Sequence, residues 1–159
     1  MKKNFLLIIL VAILISSCAS SNSSVSLGAN IQNYKYAYVL ADIQRTAFVL
    51  DMEKKIFEGL QNTRLEMIYV DQIDDLNDSQ KDSLLRVIFS YTGGSTTTGT
   101  VVGGVYVGST SSSEGNGTLN ILFQDYRSKN IVASCSGIGL SVNEDVRLAI
   151  REAIKLFPK

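Results

Sequence analysis

The order of hydrophobic patterns along this chain restricts it to one class of fold. Residues 45–61 have apolar side chains at the spacing of a helix, several segments then carry strand patterns, and residues 141–157 return to helical spacing. A helix, a run of strands and a final helix predict an α+β domain. We expect a two-layer sandwich, in which two main helices cover one face of a mixed, mostly antiparallel sheet of about five to six strands.

The strand predictions rest on alternating or short apolar runs between turn signals. The first predicted strand has one aromatic face, formed by Tyr34, Tyr36, Tyr38 and Leu40. The other predicted strands are residues 65–70, 84–91, 100–108, 118–125 and 131–139. An acidic connector with one helical turn is expected at 71–83, and Gly115, Asn116 and Gly117 predict a tight turn.

The last helix has the clearest signals. Ser141 and Glu144 have the spacing of a capping box, and Pro158 ends the helix. Acidic Glu144 and Asp145 near its start and Lys155 near its end match the helix dipole. The buried stripes are expected to be Val49, Met52, Ile56 and Leu60 in the first helix, and Val146, Ala149 or Ile150, Ala153 and Phe157 in the last.

The N-terminus has the organisation of a secretory signal. Lys2 and Lys3 precede an unbroken apolar run from Phe5 to Ile15, and small residues follow. This run is much shorter than the about 20 apolar residues that a transmembrane helix needs. We therefore expect residues 1–17 to be a signal peptide rather than an uncleaved anchor.

Residues 15–18, Ile-Ser-Ser-Cys, resemble the lipobox of bacterial lipoproteins. The resemblance implies that the Cys18 thiol receives a diacylglyceryl group, that the signal is cut before Cys18, and that the new amine is acylated. Because Ala19 rather than Asp follows Cys18, the expected location is the cell envelope, on the outer membrane facing the periplasm. The alternative is ordinary cleavage near Ala19, with Cys18 incidental.

The rest of the chain is predicted to have two parts. Residues 18–33 are rich in Ser, Asn and small residues without a period, which predicts a lipidated flexible tether. Residues 34–159 are expected to form a single α+β globular domain. With 45% hydrophobic and 19% charged residues, the chain can form a packed core.

Composition excludes several classes of function. The chain has no histidine, which removes Ser-His-Asp and Cys-His catalysis and His-ligated metal sites. Its formal net charge is zero and its basic residues are dispersed, so nucleic acid is not expected as a partner. If Cys18 is lipidated, Cys135 has no partner for an intramolecular disulfide. We expect no cofactor.

Two further patterns imitate ligand sites. The acidic connector contains Asp71, Asp74, Asp75, Asp78 and Asp82. Counted from Asp75, however, the positions where an EF-hand needs Gly and Glu hold Gln80 and Arg86, so a solvated, helix-capping loop is expected and no metal. Gly94 and Gly99 have the spacing of a P-loop, but Thr100 stands where a Lys should reach the phosphates.

Three other features have a structural and a functional interpretation. Cys135 lies mid-strand without a His or second thiol, so a buried small hydrophobic residue is expected rather than a nucleophile. The tyrosine face of the first strand is expected to pack against the sheet or its boundary rather than to bind a ligand. Residues 82–84, Asp-Ser-Leu, resemble the short O-glycosylation acceptor of Bacteroidetes periplasmic proteins, with Ser83 as the acceptor.

The Gly-rich region between residues 92 and 118 also has two interpretations. The first is a Gly-rich β-hairpin. The second is an exposed, flat β edge that binds a partner by strand addition. The residues of this possible partner-binding edge are Val101, Val105, Tyr106 and Val107.

Three sequence pieces together resemble a known family. They are the Tyr-Lys-Tyr-Ala-Tyr run at 34–38, the Gly-Thr-Leu strand from Gly117 to Asp125 followed by the segment 127–132, and the Leu-Phe-Pro end at 156–158. Over residues 34–158 the chain resembles the small bacterial lipoproteins called domain of unknown function 4136, with Gly137 or Gly139 as the glycine that follows the middle motif. The resemblance implies an α/β sandwich lipoprotein and carries over no catalytic residue.

These observations predict a lipid-anchored envelope protein with a non-catalytic binding, scaffolding or assembly role. Its expected partners are the membrane, through lipid on Cys18, and another envelope protein. One alternative is an envelope enzyme that uses carboxylates or a hydroxyl nucleophile, which would show a convergent Asp/Glu pair in a pocket. Another is a carrier of an apolar small ligand, which would show an apolar cavity between sheet and helices.

Overall fold

The computed structural model describes residues 19–41, 46–93, 100–102, 105–107 and 117–159, with the backbone alone for 100–102 and 105–107. The helices are α1 (Ala47–Leu60), α2 (Asp78–Lys81) and α3 (Val142–Leu156). The strands are β1 (Ser20–Val25), β2 (Tyr36–Val39), β3 (Glu66–Met67), β4 (Leu84–Thr92), β5 (Thr100–Val102), β6 (Val105–Val107), β7 (Thr118–Asp125) and β8 (Ile131–Ile138).

Six of these strands form one mixed, open sheet in the order β1-β8-β7-β4-β2-β3. Strand β2 is parallel to both β3 and β4, and the other neighbours are antiparallel. Strands β5 and β6 form a separate antiparallel hairpin. The architecture is α+β, as the sequence predicted, with helices α1 and α3 against one face of the sheet.

The main core lies between this face and the two long helices. The sheet contributes alternate residues, for example Val87 in β4 and Ile121 in β7, and the helices contribute Met52, Ile56 and Ala149. All five side chains are fully buried. The predicted stripes of both helices are confirmed, because their apolar positions recur on one side of each helix.

A second, smaller cluster covers the other face of the sheet beside β2 and β4. It contains Tyr38 and Leu84 from the strands and Ile68 and Ile73 from the connector that precedes α2. The tyrosine face of β2 therefore packs under the connector, as predicted, while Ala37 and its neighbour Val39 face the main core. The acidic connector contains the predicted helical turn, which is α2 with Asn77 as its N-cap.

Two sequence predictions about secondary structure were wrong. Residues 20–25 lie in β1, paired antiparallel with β8, and are not part of a flexible tether. Their sequence has no apolar face, so neighbours rather than local pattern hold the strand in place. The predicted strand at 65–70 contributes only Glu66 and Met67, because the chain turns into a 3-10 helix at Val70–Gln72.

Helix α3 approaches the sheet most closely at Gly137 of β8. A Cβ atom on Gly137 would overlap the carbonyl oxygen of Asp145 and would lie 2.6 Å from the amide nitrogen of Ala149. At this point helix backbone and strand backbone are in direct contact. The absence of a side chain at 137 therefore sets the distance between α3 and the sheet.

Candidate functional site

The predicted lipidation site, Cys18, and the predicted signal peptide lie outside the described residues. The first described residue is Ala19, and β1 begins at Ser20. Within the described part of the chain, no helix has the length and apolar character needed to cross a bilayer.

The predicted partner-binding edge forms the β5–β6 hairpin, whose register pairs Val101 with Tyr106 and Val102 with Val105. Val107 pairs with Thr100 at the open end of the hairpin. The strands pair with each other and not with the six-stranded sheet. The P-loop-like residues 94–99 and the first two residues of the predicted turn at 115–117 lie outside the description.

The remaining predicted features have structural roles. Cys135 packs in the main core, as predicted, and burial raises the pKa of its thiol to about 12. The acidic connector is solvated, and Arg127 donates hydrogen bonds to Asp78 at 2.7 Å and to Asp82 at 3.0 Å. Ser83 donates its hydroxyl hydrogen to the carbonyl oxygen of Gln80. Among the described side chains, no group of three or more acids or cysteines could hold a metal ion.

An apolar groove runs between α1 and the chain that leaves β3. We call it the aromatic groove, and its apolar lining includes Leu50, Phe57, Ile68, Tyr69 and Val70. Phe57 and Tyr69 stack with ring centroids 4.9 Å apart and an interplanar angle of 17°. Tyr69 is 62% exposed, Leu50 45% and Val70 41%. Clustered exposed apolar side chains of this kind are typical of interaction sites.

Local hydrogen bonds fix the shape of the aromatic groove. Ile68 donates its amide hydrogen to the carbonyl oxygen of Ala37, which holds the chain against β2. One residue later, the amide of Tyr69 donates to the side-chain oxygen of Gln72 at 2.9 Å and begins the 3-10 helix. The tyrosine ring is thereby held on Phe57 while its outer face stays in water. The groove is preformed, so a ligand would not have to order it.

A second groove lies between α1 and α3, over Gly59 and Ile150. Its basic residues are paired along their own helices: Lys55 with Asp51 at 2.7 Å, and Lys155 with Glu152 at 2.7 Å. These partners neutralise the cations locally, which leaves the second groove without a concentrated positive charge.

Two carboxylates are buried in α3, and neither lines a groove. Asp145 is fully buried and accepts hydrogen bonds from the Gly139 amide and, at 3.0 Å, from the Tyr91 hydroxyl. Burial raises the pKa of the Asp145 carboxyl, and the two hydrogen bonds oppose that shift. Burial and the bond to Asp145 raise the pKa of Tyr91 to about 12.

Glu152 connects α3 to the edge strand. It accepts hydrogen bonds from the hydroxyls of Ser21 at 2.7 Å and Ser23 at 3.3 Å, and from Lys155. These bonds, led by that from Lys155, lower the pKa of the Glu152 carboxyl. A Ser-rich segment without an apolar face is therefore attached to the domain through polar contacts.

Sequence reasoning missed both buried acids. Asp145 was interpreted as a solvated residue of the first helical turn, and Glu152 was not singled out. The available signal was their spacing: they are seven residues apart, two helical turns, and adjoin the stripe that includes Ala149 and Ala153. Their partners Tyr91 and Ser21 are far away in sequence and could not be read from local pattern.

We expect the pH dependence of stability to change in the variant Asp145→Asn. Because the folded-state pKa of Asp145 is raised, its favourable contribution is present below the unfolded pKa near 3.8 and is lost as pH rises through the folded value. The wild-type free energy of unfolding should therefore fall over that interval relative to the variant. Urea unfolding of both proteins at a series of pH values measures this difference. An exposed control, Asp74→Asn, should run parallel to wild type, and parallel curves for Asp145→Asn would contradict the assignment.

The geometry favours contact over catalysis. The aromatic groove offers a stacked aromatic pair and aliphatic side chains, while the buried acids Asp145 and Glu152 are engaged in structural hydrogen bonds. The two best-formed concavities of the described structure are open to solvent and lie on the surface of the helices, outside the layer between helices and sheet.

No family model and no curated protein matches this chain. Among solved structures, it is similar to a PelC dodecamer from Paraburkholderia phytofirmans crystallised in space group C2, with 13% identity, a TM-score of 0.49 and coverage of 89% of this chain and 99% of that chain. A second PelC crystal form gives 12% identity and a TM-score of 0.45 over 87% and 97%. A neuraminyllactose-binding hemagglutinin homolog from Helicobacter pylori gives 14% identity and a TM-score of 0.30 over 66% and 64%.

Proposed function

We propose that this chain is a lipid-anchored protein of the bacterial cell envelope, related to the domain of unknown function 4136 lipoproteins, that acts by binding another envelope protein in a scaffolding or assembly role. The N-terminal sequence supports the anchor: a short apolar run ends at the Ile-Ser-Ser-Cys lipobox. Lipid on Cys18 holds the domain at the membrane, on the periplasmic side of the outer membrane.

The aromatic groove is the observation that carries the binding role. Its exposed members, Leu50, Tyr69 and Val70, adjoin one another on a domain whose other apolar residues are largely in the core. Tyr at the centre of such a patch supplies a large contact area with few rotatable bonds. The acidic and basic side chains at the rim, including Lys54, Glu58 and Asp71, suit a partner surface of mixed polarity.

A photo-crosslinking amino acid at position 69 tests the binding role in intact envelopes. We expect a discrete crosslinked adduct from position 69, because a partner in the aromatic groove would lie against the Tyr69 ring. The variant Val70→Asp, combined with the crosslinker at 69, should abolish the adduct by placing a charge in the apolar contact.

A crosslinker at Leu27 is the matched control, because this residue is fully exposed and lies outside the groove. An adduct of equal yield from Leu27, or one from position 69 that survives Val70→Asp, would refute the aromatic groove as a binding site.

A further inference from the structure

One end of the six-stranded sheet carries the start of the described chain. Cross-strand pairing places Ser20 opposite Ile138, Ile138 opposite Thr118, and Thr118 opposite Thr92. This row contains the first residue of β1 and runs across four adjacent strands. We call it the anchor end of the sheet.

The anchor end is two residues from the predicted lipid. An extended chain spans at most about 3.6 Å per residue, so the backbone of Cys18 lies within about 7 Å of Ser20. Because β1 is paired with β8 from its first residue, no flexible tether separates the lipid from the fold. A rigid domain attached by such a short segment has only a limited range of orientations at the bilayer.

The two long helices begin at this same end. The Phe48 ring in the first turn of α1 packs on Tyr91, with centroids 5.7 Å apart, and Tyr91 lies one row from Thr92. Leu140, just before α3, follows Ile138 by two residues and is 57% exposed. The first turn of α1 contains no acidic residue and exposes Ala47 and Phe48. Uncharged, apolar side chains of this kind suit the interfacial region of a bilayer.

The opposite end of the sheet has a different character. There α2 and the β7–β8 turn present the solvated side chains of Asp78, Asp82 and Arg127, and the Asp78 side chain is 91% exposed. Exposed apolar residues also occur at that end, Leu27 among them, so apolar character alone does not distinguish the two ends. The position of Cys18 does distinguish them, because six strand residues, about 20 Å, separate Ser20 from the end of β1.

We propose that the anchor end of the sheet lies against the phospholipid surface, with Ala47, Phe48 and Leu140 at the headgroup level and α2 directed away from the membrane. This inference rests on the proposed lipid anchor and goes beyond it, since an anchor on a long tether would impose no orientation. It also places the aromatic groove, which begins at Leu50 in the first turns of α1, on the side of the domain within reach of partners near the membrane.

Fluorescence quenching on the full, lipidated chain tests the orientation. Single labels are attached through Leu140→Cys and Ala47→Cys at the anchor end and through Ser79→Cys in α2. Cys135 is 3% exposed, and an unmodified chain shows that it takes no label. The protein is placed in vesicles of phosphatidylcholine and phosphatidylglycerol that carry a nitroxide on the headgroup. We expect loss of fluorescence at positions 140 and 47 and none at 79.

The outcomes separate the orientation from the anchor. Mass spectrometry first establishes whether Cys18 carries acyl chains. If the acylated, vesicle-bound protein is quenched equally at 79 and 140, or at neither 140 nor 47, the orientation is overturned while the anchor stands. If the wild-type chain has no acyl mass and does not bind vesicles, the anchor and the orientation both fall. The same labels in the Cys18→Ser background should show no quenching.

Discussion

The variant Gly137→Ala should lose about 3 kcal/mol of folding stability, a large effect for the addition of one methyl group. The new Cβ would meet helix backbone at Asp145 and Ala149, and neither can move aside as a side chain can. Helix α3 must shift away from β8, which opens the core around Ala149 and Cys135. Urea unfolding measures the loss as a lower midpoint at an unchanged slope.

Gly93→Ala is the matched control for this experiment. The nearest atom to a Cβ at position 93 is Cε1 of Tyr91 at 3.8 Å, an ordinary van der Waals distance. We expect its free energy of unfolding to change by less than about 0.5 kcal/mol. Similar midpoints for Gly137→Ala and Gly93→Ala would show that α3 does not pack on β8 as described.

The variant Cys18→Ser should move the protein from the membrane fraction to the soluble fraction. A serine hydroxyl is a far weaker nucleophile than a thiolate, so the diacylglyceryl group cannot be attached. Each buried CH₂ of an acyl chain contributes about 0.8 kcal/mol to membrane binding, and two or more chains make attachment effectively stable. Incorporation of labelled palmitate, followed by a carbonate wash of the membranes, measures the difference.

The second cysteine provides the control. Cys135→Ala removes a buried thiol and leaves the N-terminus unchanged, so the protein should still take up palmitate and remain in the membrane. Palmitate in the Cys18→Ser protein would refute lipidation at this position. Loss of palmitate in both variants would show that labelling depends on folding and not on the Cys18 thiol.

Elements with a strong local pattern could be predicted from the sequence. The α3 stripe, its Ser141 cap and the β7 alternation around Ile121 each agree with the structure. In these segments one face is apolar at a single period, so burial alone selects the conformation. The α+β class follows from their order, because amphipathic helices at both ends of a run of strands must cover one sheet face.

Elements that depend on distant partners could not be predicted in this way. The sequence of β1 has no apolar face, and its strand conformation comes from pairing with β8 and from hydrogen bonds between Ser21, Ser23 and Glu152. The aromatic groove likewise depends on Phe57 and Tyr69, twelve residues apart in sequence, meeting across two elements.

The sequence by itself therefore determined the class of fold, the two helix stripes and the chemical candidate for an anchor at Cys18. Tertiary structure alone decided that the segment after Cys18 is a paired strand, that Asp145 is buried, and that an apolar surface forms beside α1. The physical reason is range. Periodic burial acts within a few turns or residues of chain, whereas hydrogen bonds to buried acids and contacts between separate elements exist only after the chain has folded.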